Sequence, residues 1–478
     1  MTNTRGITRR GFCASAVAGA FGLAAGRALG DAPAKRPNIL LMTADDLGPY
    51  LGCYGDGVAR TPVLDSLASE GMLFTRGYVT QASCSPSRSS ILTGLYPHQN
   101  GQIGLAHRGY SMRPGMKTLP ALLKPAGYKV GIVGKFHVAP TDAFPFDFEY
   151  DSPLLMVTRD VRKAAQVAGG FIRSARGEPF CLLVNFTDPH RPFLDQSAGL
   201  PQRLFQPGEV PPFGFLGVDS DDIRRDMAGY YNCMSRLDSG VGFVLDELRK
   251  SGHADDTLVV FISDHGPPFT RAKTTCYEAA LRVPFIARWP GHAAPGTTSD
   301  RLVSTVDLLP TFLDVAGVLA PEGLAGASLS GILEGRDAPR REFVFGEFTS
   351  HTRDAFFPRR TIRDSRYRLI ANLLPDRPNP VLGVDGCAGW KESRNDRWKG
   401  TDARTAMDVY HRPPPLELYD LESDPSELRN LAGRPEFAEI ETKLASKLFK
   451  WRRETSDPLL DPAQLAALAR EHDDGSKR

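Results

Sequence analysis

A membrane-spanning run is missing from this 478-residue sequence: its one long uncharged stretch, Gly11 to Gly26, is too short and too rich in Ala and Gly to cross a bilayer. The chain is therefore not expected to be an integral membrane protein. Surplus charge of either sign is missing as well. Lys and Arg number 58 against 56 Asp and Glu, a formal net charge of +2, so the electrostatic footprint of a nucleic-acid binder is absent. Paired cysteines are also missing. None of the seven falls in a C-x-x-C pair; Cys13 lies in the leading segment and Cys84 is set aside for the chemistry below, which leaves Cys53, Cys181, Cys233, Cys276 and Cys387. An odd number argues against a complete disulfide framework, so these are expected as small buried apolar residues, with one bridge left open. No internal repeat is evident.

What is present suits a globular protein, with 41% apolar residues. The length exceeds what one core normally supports, so a large domain and a smaller one are expected. The opening Thr8-Arg9-Arg10-Gly11-Phe12, followed by small apolar residues to Ala28-Leu29-Gly30, resembles a twin-arginine export signal cleaved near Asp31. That makes residues 1–30 a signal peptide and the destination periplasmic or secreted.

Three apolar runs read as buried parallel strands, and each ends in polar residues. Asn38 to Thr43 leads into Asp45-Asp46, Cys181 to Phe186 into Asp188 and His190, and Leu258 to Ile262 into Asp264-His265. A fourth run, Lys129 to Val133, precedes Lys135 and His137. Helical patterns lie between them, at Pro62 to Glu70, at Leu119 to Ala126, and along Ile223, Met227, Tyr230, Met234, Leu237, Val241, Val244 and Leu248, where apolar residues recur every three or four positions. Alternating strands and helices predict an α/β fold, a mainly parallel sheet sandwiched by helices, with its ligand site beyond the strands' carboxyl ends. Residues 31–345 are expected as the catalytic domain. From 346 to 478 shorter strands, Tyr367 to Ala371 and Leu416 to Leu421, and a helix near Pro435 to Glu454 predict a small α+β subdomain; the stretch Leu374 to Pro415 yields no shape.

Adjacent acids at a strand end repel each other unless a cation or partner offsets them. Asp45-Asp46 and Asp264-His265 are two such pairs, and their oxygen-rich set suits a hard divalent ion, calcium better than magnesium because its geometry is more permissive. Pro86 fits the first position of a helix with Ser85 as its cap, which would set Cys84 beside a helix N-terminus rich in free N–H groups. A sulfate monoester or sulfamate is anionic and repels anionic nucleophiles, so a protein that cleaves one must supply neutralisation and positioning.

The run Ser83-Cys84-Ser85-Pro86-Ser87-Arg88-Ser89-Ser90-Ile91-Leu92-Thr93-Gly94 resembles the C-x-P-x-R signature of the formylglycine-dependent sulfatases, within the alkaline phosphatase superfamily. The likeness runs from about Pro37 to Asp457. It is closest to the N-sulfoglucosamine sulfohydrolase (sulfamidase, heparan N-sulfatase) branch, through His98-Gln99-Asn100-Gly101, Gly134 to Pro140 with Phe144 to Phe148, Asp188 to Arg191, Glu417 to Asp420 and Trp451 to Pro458. Lys273 and His265 depart from that branch, which carries arginine and asparagine there. The resemblance implies a sulfatase fold and hydrolysis of sulfate from an N-sulfated, heparan-type sugar. It implies that a formylglycine-generating or sulfatase-maturating enzyme oxidises Cys84 to formylglycine. The metal set would be Asp45, Asp46, Asp264, His265 and an oxygen of modified Cys84, and the ion Ca2+. Arg88 would steady the hydrated aldehyde, Lys135 and Lys273 would bind sulfate oxygens, His137 would take the hydroxyl proton as sulfate is expelled, and His190 would protonate the leaving group. Asp188, His351 and Arg353, with Arg359, are candidates to contact the sugar. The alternatives are an O-sulfatase on a sulfated glycan or aryl sulfate, a phosphonate or phosphodiester hydrolase, and a non-catalytic binder of sulfated glycans. Neither the oligomeric state nor exo against endo action is legible.

Overall fold

All seven residues of β1 (Asn38–Ala44) are buried, and their side chains alternate between two apolar clusters, Leu40 and Met42 on one face, Ile39 and Leu41 on the other. A strand covered on both faces has no polar side, which is why its sequence is an unbroken apolar run. The computed structural model describes residues 36–475 apart from 337, 376 and 381–387; the export signal and Cys387 lie outside the described residues.

β1 is the centre of a nine-stranded sheet formed with β2 (Met72–Tyr78), β3 (Lys129–Gly134), β4 (Phe148–Tyr150), β5 (Phe180–Asn185), β6 (Thr257–Ser263), β7 (Arg282–Val283), β8 (Phe285–Arg288) and β9 (Thr297–Ser304). The order is β4-β3-β5-β1-β6-β8-β2-β7, with β9 beside β2. From β4 through β6 every pairing is parallel; the antiparallel ones are those of β8 and β7. The sheet is thus mainly parallel, as expected, with antiparallel strands towards one side. On one face lie the helices Pro62–Ser69, Val161–Ser174 and Asp221–Lys250; on the other Leu308–Val315 sends Leu308, Leu309, Phe312 and Leu313 into the second cluster. A smaller antiparallel sheet, β10 (Val344–Ser350), β11 (Phe356–Arg363), β12 (Tyr367–Asn372) and β13 (Leu416–Asp420), packs Ile362, Leu369 and Leu418 against Leu444, Leu448 and Trp451 of the helix Ala438–Glu454.

Two local expectations change. The helix expected over Leu119 to Ala126 is α-helical only to Leu123 and tightens to a 3-10 turn at Lys124–Ala126, because Pro125 has no N–H to give. The stretch with no legible shape holds the helices Ala388–Ser393 and Asp402–His411. Among the described residues no helix is long and apolar enough to cross a membrane. The described cysteines are free thiols, Cys53 half-buried and the other four buried.

Candidate functional site

Because β3, β5, β1 and β6 run parallel and adjacent, their carboxyl ends deliver Lys135, Asp188, Asp45-Asp46 and Asp264 to one edge of the sheet. The register pairs Thr43 with Asn185 and Ala44 with Ser263, so Asp45 and Asp264 emerge side by side. Gly134 is what lets β3 turn here: its φ is +88°, and a Cβ would fall 2.0 Å from the carbonyl oxygen of Asn185. Asp46 adopts φ +69°, costly for a side chain with a Cβ, and its N–H donates to Asp264 Oδ1 at 3.0 Å.

Three carboxylates, Asp45, Asp46 and Asp264, and the His265 ring are completely buried together. Ligand atoms of Asp45, Cys84, Asp264 and His265 all lie within 4.8 Å of one another, and so do those of Asp45, Asp46, Cys84 and His190. His265 Nδ1 donates to the carbonyl of Gly266 at 2.9 Å, since a carbonyl only accepts, and Nε2 lies 3.1 Å from Asp46 Oδ1 and 3.5 Å from Cys84 Sγ. Asp46 Oδ1 is buried with no hydrogen-bond partner. A cluster of buried carboxylate oxygens, one of them orphaned, and an imidazole nitrogen has the donor chemistry of a divalent-cation site.

Three basic side chains offset the acids. Lys135 Nζ donates to Asp45 Oδ2 at 2.5 Å, Lys273 Nζ to Asp46 Oδ2 at 3.0 Å, and Arg88 Nε to Asp264 Oδ2 at 3.0 Å. Burial works to raise Asp45, yet Lys135 first, then His190, Arg88 and Lys273, hold it well below the usual carboxylate range. Asp264 is raised, by burial and by the neighbouring charge of Asp45.

Cys84 opens the helix Cys84–Thr93, all ten residues of which are buried. Ser83, not Ser85, is the N-cap residue, and Pro86 sits third, still in the first turn where an N–H has no partner to lose. Ser83 Oγ faces His351 Nδ1 at 2.9 Å, and Ser85 Oγ accepts from the N–H of Ala106 at 3.0 Å, so both serines tie the helix start to neighbouring loops. The Cys84 thiol is 3.6 Å from Asp45 Oδ1 and is pushed up by burial, with Asp45 and Asp264 adding to the rise.

The histidines divide sharply. His137 is driven down to about 2 by burial, then by Lys135 and Arg88, so its ring is neutral. His190 Nδ1 donates to the Arg191 carbonyl at 2.5 Å, leaving Nε2 facing Asp46 Oδ2 at 3.8 Å. Asp188, expected against the sugar, is turned inward instead: Arg236 grips both its oxygens at 2.7 Å and Arg159 donates to one at 3.1 Å. Arg159 also holds the carbonyls of Thr187 and His190, so this buried group fixes the His190 loop. Neither arginine stands out in sequence, since they lie 29 and 48 positions from Asp188. Breaking a buried pair leaves an uncompensated charge, so Arg236→Met should cost about 3 kcal/mol in urea unfolding; a loss below about 1 kcal/mol would show that Arg159 suffices. His351 is buried on Ser83, Arg353 is exposed, and Arg359 is buried over the Phe357 ring. His107, which sequence reasoning missed, lies 2.7 Å from His137.

Residues 37–318 match the family model described as Sulfatase, and 270–375 the one described as N-sulphoglucosamine sulphohydrolase, C-terminal. The chain is 34% identical to human N-sulphoglucosamine sulphohydrolase, over 90% of this chain and 92% of that one. It is 32% identical to an ulvan-active sulfatase of Formosa agariphila, over 89% and 82%. A solved structure in complex with D-glucosamine-2-N,6-O-disulfate shares the fold, with a TM-score of 0.70 at 22% identity over 88% and 99% of the two chains. The chain belongs to the sulfatase family and is a sulfuric ester hydrolase.

Proposed function

We propose that this enzyme removes the sulfate of N-sulfated glucosamine in heparan-type saccharides, using formylglycine made from Cys84 and a calcium ion held by Asp45, Asp46, Asp264 and His265. The observation that carries the reading is the position of Cys84 Sγ, 3.6 Å from Asp45 and 3.5 Å from His265 Nε2 inside the buried acidic cluster. When present, the hydrated aldehyde supplies an oxygen nucleophile and the cation neutralises charge on it and on the sulfate. The side chains do the rest. Lys135 and Lys273 flank the cluster and place positive charge where sulfate oxygens come to lie. Neutral His137 accepts a proton, and His190 gives its Nε2 proton to the departing amine. Arg88 ties Asp264 to the Lys135 carbonyl and so fixes the floor of the site. Arg159 and Arg236 act through Asp188 as positioning residues. Residues 31–345 hold this chemistry and 346–478 bring His351 and Arg353 to its rim; export to the periplasm or beyond, and a separate maturating enzyme, belong to the same reading.

The N-sulfate is favoured by the likeness to human N-sulphoglucosamine sulphohydrolase across 90% of the chain. A nearly equal likeness to the ulvan-active sulfatase favours a second reading, an O-sulfatase on a sulfated glycan. Side-by-side turnover of N-sulfoglucosamine, a 6-O-sulfated sugar and an aryl phosphonate decides, with the highest kcat/KM expected on the first. Replacing His190 with Ala should cost about 10²- to 10⁴-fold on the N-sulfate, whose leaving amine must be protonated, and far less on an aryl sulfate whose phenolate leaves unaided. Equal losses on both would remove His190 as the acid.

A further inference from the structure

We propose that His107 and His137 form a two-ring proton relay between residue 84 and solvent, with His107 as the outer, positioning member; this rests on the sulfatase reading above. His137 Nε2 and His107 Nδ1 lie 2.7 Å apart. The ring centroids are 4.9 Å apart and the planes differ by 28°, so the rings meet nearly edge to edge, as a shared proton requires. The two ends of the pair face different surroundings. His137 Nδ1 is buried with no hydrogen-bond partner, on a ring within electrostatic reach of Lys135, Arg88 and Asp45, whereas His107 is exposed.

The backbone keeps the pair in register. His107 sits in the turn Ala106–Arg108, which is pinned by the Ala106 N–H to Ser85 beside Cys84, and by the Leu105 N–H to the His351 carbonyl at 3.0 Å. His137 is held at φ +53°, a conformation retained where the surroundings impose it. Burial lowers both rings.

In the tautomer that serves the reaction, His137 Nε2–H donates to His107 Nδ1, and His137 Nδ1 is bare. As Nδ1 takes the proton of the reacting hydroxyl on residue 84, the Nε2 proton crosses to His107 Nδ1, and the His107 Nε2 proton passes to water. One proton enters the pair, one leaves, and the rings end neutral. The reverse passage, one proton in from water at His107 Nε2 and the Nδ1 proton out to water in the emptied site, restores the starting tautomer. A relay of this kind spares the buried site an imidazolium beside Lys135 and Arg88.

The test uses the full chain labelled with ¹⁵N-histidine, wild type, His107→Asn and His107→Ala, with His137→Gln to assign the signals. Asn offers an acceptor oxygen near the place of Nδ1 but cannot pass a proton. Nitrogen shifts should show His137 protonated at Nε2 in wild type and H107N, with that preference lost in H107A. Both variants should lose roughly tenfold in kcat, with KM within about twofold, and added imidazole should restore H107A. A wild-type His137 protonated at Nδ1, or unchanged kcat in both variants, would overturn the relay. The nitrogen signals are read whether or not the protein turns over substrate, so failure of the sulfatase reading and failure of the pair are told apart.

Discussion

Replacing Cys84 with alanine should reduce sulfate release by about 10⁴-fold or more, the scale seen when a covalent nucleophile is removed, while the protein stays folded. The thiol is small, and its loss from the helix start leaves the Asp45–Lys135 and Asp264–Arg88 pairs intact, so the stability cost should be only about 1 kcal/mol. The environment also argues that cysteine itself is not the working group. Burial pushes the thiol up, and the carboxylates of Asp45 and Asp264 push it further, so at neutral pH an unmodified Cys84 is a thiol rather than a thiolate. A site that neutralises anionic substrate with Arg88, Lys135 and Lys273, yet keeps its sulfur protonated, calls for a different nucleophile at the same position. Mass spectrometry of the peptide containing Cys84 from the native host checks this directly and should show the aldehyde. Retained sulfate release by Cys84→Ala would sink the proposal whatever the peptide shows.

Much of this arrangement was legible because its physics is local. A parallel strand covered on both faces must be apolar throughout, so the acids that end it stand out, and adjacency in a parallel sheet then gathers Asp45, Asp264 and Lys135 without any fold being assumed. The helix start at Cys84 was misplaced by two residues because Ser85 and Pro86 look like a cap and first position, whereas tertiary bonds to Ala106 and His351 claim Ser85 and Ser83. The partners of Asp188 were illegible for a related reason. Its neighbour in sequence His190 faces the site, but its partners Arg159 and Arg236 come from elements that only the packed fold brings near. His107 carries no sequence signal at all: it sits in a three-residue turn between Leu105 and Gly109, and its meaning comes wholly from the ring of His137.

The largest effect beyond Cys84 is expected from the metal. Among the residues gathered here Asp45, Asp46 and Asp264 oppose Arg88, Lys135 and Lys273, three acids against three bases, so a divalent ion would turn a balanced cluster into a positive one. A sulfate monoester brings the charge that offsets it, which couples metal and substrate binding. Treating the enzyme with a chelator should abolish turnover and lower its thermal midpoint. An ion present at one hundred times its dissociation constant stabilises the folded chain by about 2.7 kcal/mol. For a protein of this size that is roughly 3 °C. Calcium should restore both properties more fully than magnesium, because oxygen ligands on three separate loops suit its flexible coordination. Asp45→Asn separates the metal from general damage. The substitution keeps the shape but leaves the Lys135 ammonium without its anion, so turnover should fall at least about 10³-fold and the calcium-induced rise in midpoint should vanish. If instead the chelator left wild-type turnover and midpoint unchanged, the acids would be serving only their own basic partners, and the orphaned oxygen of Asp46 would need another explanation.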